Sequence, residues 1–372
     1  MKLCTLSTGD AVYRYYKTIV MVFEKPRKVL STSLLNGGYH EDLSAVFNHN
    51  ADDNGAMCCI SDYIGYMQGI AREAGLDPAA VSGMGTAASM DNAAIHSESY
   101  QNLTVTAIAT GGVEVNGGRV GDPAEYFQPE DKDVLCKPGT INIMLVIDAD
   151  LPPGILARAL VTCTEAKTAA LQELMAGSNY SNGLATGSGT DQTIVIANPA
   201  SPLYLLSAGK HSKLGELIGA AVKKAVKEAL LRQTGLSPAM QHSALRRMKR
   251  FGATEEALWQ HYVSYYAAYC GGIIKPDFMD ALYRTETDAL LVAYTSLYVH
   301  LLDQLIWELL SPEEVVEAGN ALLALAAGRF GMDPIMIAGA GLEDAVEAWI
   351  TLLIHILMEE LSGKPGPADA AN

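Results

Sequence analysis

The stretch from Ile141 to Ala197 constrains this chain most. Ile141–Asp148 (INIMLVID) is a nearly unbroken apolar run of strand length, the pattern of a strand covered on both faces. Pro153–Leu174 follows, with apolar residues at helical spacing and a proline suited to a first turn. Thr193–Ala197 (TIVIA) is again strand-like. Buried strand, long helix and strand in succession predict a βαβ-like arrangement.

The surrounding pattern extends this reading. Ile19–Phe23, closed by Pro26, and the alternating Leu103–Ala109, ended by Gly111-Gly112, predict two further strands. Gly209–Gln233 reads as an amphipathic helix with Lys213, Lys223, Lys224 and Lys227 on its wet side. Beyond about Gly235 strand-like runs stop. Ala253–Tyr269, Thr285–Leu310, Pro312–Arg329 and Leu342–Leu361 read as helices, punctuated by Gly271-Gly272, Ser311-Pro312 and Gly339–Gly341. The tail GKPGPADAAN is expected to fray. The expected fold class is therefore α/β, a mixed sheet with flanking helices over 1–235, followed by an all-α C-terminal region over 236–372.

The formal net charge of −16 argues against nucleic acid and anionic membranes as partners. Six scattered cysteines (4, 58, 59, 136, 163 and 270), with no CxxC pair, fit reduced thiols better than a disulfide framework. No signal peptide is visible at the start, MKLCTLSTGDAVYRYYK. The most apolar late segments carry Asp303, Glu308 or His355, so they read as buried helices rather than membrane insertions. The expectation is a cytoplasmic protein.

Several motifs are missing. There is no G-x4-G-K-[ST], no HExxH, no dense His/Cys/Asp cluster and no GxSxG. No metal site is thus expected. Gly83-Met84-Gly85-Thr86-Ala87-Ala88 has a superficial GxGxxA pattern, but it follows a poor strand, so a dinucleotide site is not expected there.

Four segments, in order, carry a family resemblance: LSTSLLNGG at 30–38, AIATGGVEVNGGRVGDPA at 107–124, GTINIMLVIDADLPPGILARALVTCTEAKTAALQEL at 139–174, and YSNGLATGSGTDQTIV at 180–195, which runs on to AGKHSKLGELIG at 208–219. Together they resemble the adenosylcobinamide amidohydrolase (CbiZ) family over roughly residues 15–235. EAKTAAL followed by ATGSGTD is the strongest part. Asn48-His49 matches a pair frequent in the family, whereas Ser188 and Gln192 stand where a Thr and a Gly or Ser are usual. The resemblance implies a hydrolase that cuts the amide joining the corrin propionate to 1-amino-2-propanol, leaving adenosylcobyric acid, in corrinoid salvage and remodelling. No cofactor is implied; cobalt enters only within the corrinoid substrate.

Such chemistry needs an activated nucleophile, a stabilised oxyanion and a proton for the leaving amine. Glu165 and Lys167, in the TEAKT run, are two apart on a helix and face different directions. One is expected to reach the site: Glu165 as a base, or Lys167 as an oxyanion or amine partner. The competing reading is a solvated pair. The run Thr186-Gly187-Ser188-Gly189-Thr190-Asp191 can grip a ligand with backbone N–H groups, and either Ser188 or Thr190 can act as nucleophile; a plain tight turn is the alternative. Asn36-Gly37-Gly38 offers an amide donor and acceptor, or simply a turn. His49 and His96 are candidate bases, and either can instead contact the cobalt of a bound corrinoid, which makes His96 a candidate substrate contact; the commoner reading of each is a structural histidine. Asp122 can hold a lysine or accept from substrate, and the adjacent Pro123 equally fits a turn. The aromatic run Tyr262–Tyr269 can wall a cleft or pack a core. Two other readings compete with the enzyme: a non-catalytic corrinoid-binding or delivery protein, and a homo-oligomer scaffold joined through the helical region.

Overall fold

The computed structural model describes residues 1–51, 62–124, 127, 137, 139–267 and 272–362. Cys58, Cys59, Cys136, Cys270, Tyr269, Gly271 and the tail from residue 363 lie outside the described residues. The chain divides into two compact units, Met1–Ser237 and Pro238–Asn372.

In chain order the first unit contains β1 (Lys2–Thr5), β2 (Ala11–Tyr15), β3 (Thr18–Val22), β4 (Lys28–Ser31), β5 (Gly38–His40), β6 (Ala45–Asn50), α1 (Tyr63–Glu73), β7 (Val81–Thr86), β8 (Ala94–Tyr100), β9 (Leu103–Gly111), β10 (Gly117–Gly118), β11 (Ile141–Ile147), α2 (Pro153–Glu173), β12 (Gly187–Ser188), β13 (Gln192–Ala197) and α3 (Lys213–Thr234). One mixed sheet has the order β1-β2-β3-β6-β7. A second has the order β5-β4-β13-β11-β9-β8, and β10 pairs with β12 in a small ribbon.

The predicted βαβ unit is present. β11 and β13 are parallel neighbours, in register from Asn142 opposite Gln192 to Ile147 opposite Ala197, and α2 makes the crossover. All seven residues of β11 are buried, which is why its sequence does not alternate.

The period-two alternation of strand side chains explains the layers. Ile19, Met21 and Val46 of the first sheet meet Met144, Val146, Ile194 and Ile196 of the second in one core. Their chain neighbours Val20, Ala45 and Phe47 point the other way and pack against Tyr63, Met67 and Ala71 of α1. Contacts of α2 with β13 and of α3 with β8 and β9 cover the far face of the second sheet. Each large side chain buried in these cores stabilises the fold by about 1.5–3 kcal/mol.

The stretch before Gly83, expected to be a poor strand, ends in Val81 and Ser82, which open β7, whose six residues are all buried. The glycines at 83 and 85 lie inside that strand, not in a phosphate-binding turn. A Cβ at Gly83 would sit 2.2 Å from the Phe47 ring, so the absent side chain makes room for that ring.

The second unit holds α4 (Ala244–Met248), α5 (Glu255–Tyr265), α6 (Lys275–Thr285), α7 (Ala289–Ile306), α8 (Pro312–Arg329) and α9 (Leu342–Ser362). Ser311 and Glu314 cap α8 reciprocally, with Pro312 in its first turn. The expected single helix over Thr285–Leu310 is interrupted instead. Asp288 accepts hydrogen bonds from the backbone N–H groups of Leu290 (3.1 Å) and Leu291 (3.0 Å), which starts α7 afresh. Tyr262 is fully buried with Phe278, Tyr298 and Trp349, so this part of the aromatic run is core.

Candidate functional site

The site begins with the phase of α2. Its buried positions are Leu156, Ala159, Thr162, Cys163, Ala166, Lys167, Ala170 and Leu171. Lys167 therefore lies on the covered face of the helix. A lysine is placed there only with a charged or hydrogen-bonded partner, because burying a lone ammonium is costly. The partner is Asp191, just before β13; the two form an ion pair with side chains 11% and 12% exposed.

Asp191 is also the hub of the loop before β13. Its Oδ1 accepts from Ile141 N–H and from the Ser188 hydroxyl, both at 2.7 Å, and its Oδ2 accepts from Ser188 N–H at 3.0 Å. The start of β11, the TGSGT run and α2 are thus tied to one carboxylate. Gly187 is required by this crowding: a Cβ there would lie 2.3 Å from Asp191 Oδ2 and 2.7 Å from Lys167 Nζ. Further hydroxyls fix the loop. Thr168 donates to the Thr186 carbonyl (3.1 Å), Thr140 to the Thr190 carbonyl (2.8 Å), and Thr190 to the Gly139 carbonyl (3.0 Å).

A cavity of about 600 Å³ opens over this assembly. One wall is Thr186, Gly187, Ser188, Gly189 and Thr190; another is Thr164, Lys167 and Thr168 of α2. The turn after β10 adds Arg119, Val120, Asp122 and Pro123, and Asn116, Lys137 and Tyr180 complete the rim. The Tyr180 hydroxyl donates to Asn116 Oδ1 at 2.8 Å, and Lys137 Nζ lies 4.6 Å from the centroid of the Tyr180 ring. Burial alone would raise the Asp122 pKa. Hydrogen bonds from the Ser178 and Ser181 hydroxyls and from Arg119 N–H outweigh it and hold the carboxyl below its usual range. The cavity volume lies within the range of small-molecule sites.

The structure brings together Lys167, Asp122 and the whole TGSGTD run. It separates the other candidates. Glu165 is half-exposed and pairs with Lys210 (3.3 Å) and Arg158 (3.9 Å). It lines a shallower groove that shares Arg119, Thr164, Thr168 and Thr186 with the cavity wall. His49 is buried between the Thr18 hydroxyl (2.8 Å) and the Tyr66 hydroxyl (2.9 Å), and does not line the cavity. His96 pairs with Glu228 of α3. Asn36 donates to the Pro78 and Val81 carbonyls at 2.8 and 2.6 Å, which anchors the turn that runs through Gly37 to Gly38 at the start of β5. Among the described residues, no group of three or more His, Cys, Asp or Glu side chains is placed to hold a metal ion.

Asn116, Arg119, Lys137, Thr164, Thr168 and Tyr180 line the cavity but were not singled out from the sequence. Asn116, Arg119, Thr164, Thr168 and Tyr180 sit inside the four segments quoted above; the only signal available was that company.

The uncharacterized protein MJ1613 of Methanocaldococcus jannaschii is 35% identical over 239 residues, spanning 60% of this chain and 89% of the relative. The PH0078 protein from Pyrococcus horikoshii aligns at 15% identity over 58% of this chain and 77% of its own, with a TM-score of 0.28, too low to bear on fold or activity. The sequence model named Adenosylcobinamide amidohydrolase matches residues 3–238, which include every residue lining the cavity. The chain belongs to the adenosylcobinamide amidohydrolase family.

Proposed function

We propose that this chain hydrolyses adenosylcobinamide at the amide between the corrin propionate and 1-amino-2-propanol. The observation that carries this reading is the buried Lys167–Asp191 pair at the wall of a ligand-sized cavity, within the family-matched residues.

The carbonyl oxygen of the scissile amide would face Lys167. Water adds to the carbonyl carbon, and the negative charge that develops on oxygen is stabilised by the ammonium. Such a donor contributes most when it is fixed in advance, which is what the Asp191 carboxylate does for Lys167. The C–N bond then breaks, the nitrogen leaves as protonated aminopropanol, and the propionate remains as a carboxylate. The balance needs water alone, with no phosphoryl donor, and the cobalt is that of the substrate. The Ser188 and Thr190 hydroxyls are engaged with Asp191 and the Gly139 carbonyl, so they serve here as loop supports. A cavity of this size admits the aminopropanol arm and an edge of the corrin, leaving the rest of the ring outside.

Incubation of the purified chain with adenosylcobinamide tests this. Mass analysis is expected to show a corrinoid that has lost aminopropanol and gained water. A corrinoid that binds saturably yet returns unchanged would refute the hydrolase reading in favour of a binding or delivery protein.

A further inference from the structure

A groove of about 480 Å³ runs beside the cavity along α2, lined there by Thr164, Thr168 and Gln172. The two hollows share Arg119, Val120, Thr164, Thr168 and Thr186. Val120 stands at this divide with 83% of its surface exposed. Its position is fixed: Val120 N–H donates to the Thr186 hydroxyl at 2.9 Å, and Thr186 N–H donates to the Gly118 carbonyl at 2.8 Å. Arg119 N–H donates to Asp122 Oδ2 (2.8 Å) and Asp122 N–H to the Arg119 carbonyl (3.0 Å), which closes the turn, with Gly121 at φ +92°. An apolar side chain held in place at the mouth of a site makes contacts at little cost in ordering. The groove also offers neutral polar groups. Thr164 donates to the Leu160 carbonyl and Thr168 to the Thr186 carbonyl, both at 3.1 Å, so their oxygens can still accept. Thr186 Oγ1 accepts from Val120, so its own proton can donate, and the Gln172 amide can do both. Neutral donors and acceptors side by side match primary amides, which present N–H and C=O together.

Resting on the hydrolase reading, we infer that the substrate straddles Val120: the aminopropanol arm enters the cavity, and the amide-fringed edge of the corrin lies in the groove along α2. Val120 packs against the ring edge, and Gln172 bonds its side-chain amides. These two residues set specificity by gripping a part of the ligand that does not react. Contacts of that kind hold substrate and transition state alike, so they act on KM rather than on kcat. The corrinoid acid left by hydrolysis keeps the same ring edge and is gripped by the same two residues.

Kinetics and calorimetry on the full chain test this. In Val120→Ser and Gln172→Ala, KM for adenosylcobinamide is expected to rise about fivefold to tenfold while kcat stays within about twofold of the parent. Adenosylcobyric acid lacks the scissile amide, so its titration needs no turnover, and its Kd should rise by the same factor. Val120→Ile should keep the parental values, and melting temperatures should move by no more than a few degrees. If either Val120→Ser or Gln172→Ala leaves KM and the acid Kd within about twofold of the parent, the inference fails even though hydrolysis occurs. Weaker acid binding in both substitutions, beside a parent that does not hydrolyse adenosylcobinamide, sinks the hydrolase reading while the groove stands. A parent that binds neither corrinoid overturns both.

Discussion

Lys167 is the one charged side chain on the buried face of α2. The sequence separates Glu165 from Lys167 by helical phase but leaves open which one faces inward; in the structure Leu156, Ala159, Cys163, Ala166 and Ala170 mark the buried face, and Lys167 falls within it. Glu165, about 200° away around a helix of 3.6 residues per turn, must then face outward. What the sequence did not tell was which of the two the chemistry uses, since that depends on Asp191 arriving from 24 residues away. His49 shows the opposite limit. It shares a strand face with Ala45 and Phe47, and that face is covered by α1, a helix the sequence reading did not predict, so its hydroxyl partners were invisible. The site predicts a contrast between two substitutions. Lys167→Met should lower turnover of adenosylcobinamide by about a hundredfold, the usual loss of one oxyanion donor. It should cost about 1–3 kcal/mol of stability, since Asp191 keeps its donors from Ser188 and Ile141. Glu165→Gln should leave turnover within about threefold, because its partners are exposed and such pairs contribute little. Steady-state kinetics and thermal melts of both proteins check this; a severe loss in Glu165→Gln alone would place the essential group in the neighbouring groove instead of at Lys167.

At the scale of elements, the βαβ unit was readable because both strands are buried on two faces and the helix carries its own period. The strands β1, β2, β4 and β8 were not, because partly exposed strands lack a continuous apolar signature. The glycine loop was recognised by residue type, yet its shape comes from Asp191 fastening it to β11 and α2. That fastening predicts the behaviour of Gly187→Ala. The atoms nearest the added methyl belong to the carboxylate of Asp191 and the ammonium of Lys167, so the strain falls first on the ion pair. Turnover should fall at least about tenfold while the melting temperature shifts by only a few degrees. A melting loss as large as that of a core truncation would mean that the loop supports the fold rather than the site.

For the whole molecule, the division into two units mirrors a division of the core. The first unit holds the core between the sheets and the one beneath α1, and the second holds a core formed among α4 to α9. The family match ends at residue 238, beside the boundary at Ser237. The all-helical character of the second unit was legible from periodicity alone, and the bounds of α8 agree with the capping and proline signals at Ser311-Pro312. The break at Asp288 was not, since apolar residues resume directly after it. One helix among the described residues, Ala289–Ile306, is long and apolar enough to cross a membrane. It buries Leu291, Val292, Tyr298, Val299 and Leu302, and its Asp303 forms a bidentate pair with Arg250 at 2.6 Å. Every cavity residue belongs to the first unit, so the chemistry should too. The most direct measurement is hydrolysis of adenosylcobinamide in ¹⁸O-water by the full chain and by residues 1–237. Both are expected to place one labelled oxygen in the corrinoid carboxyl at similar kcat/KM. A folded 1–237 fragment that leaves the amide intact, beside an active full chain, would contradict a site contained in the first unit.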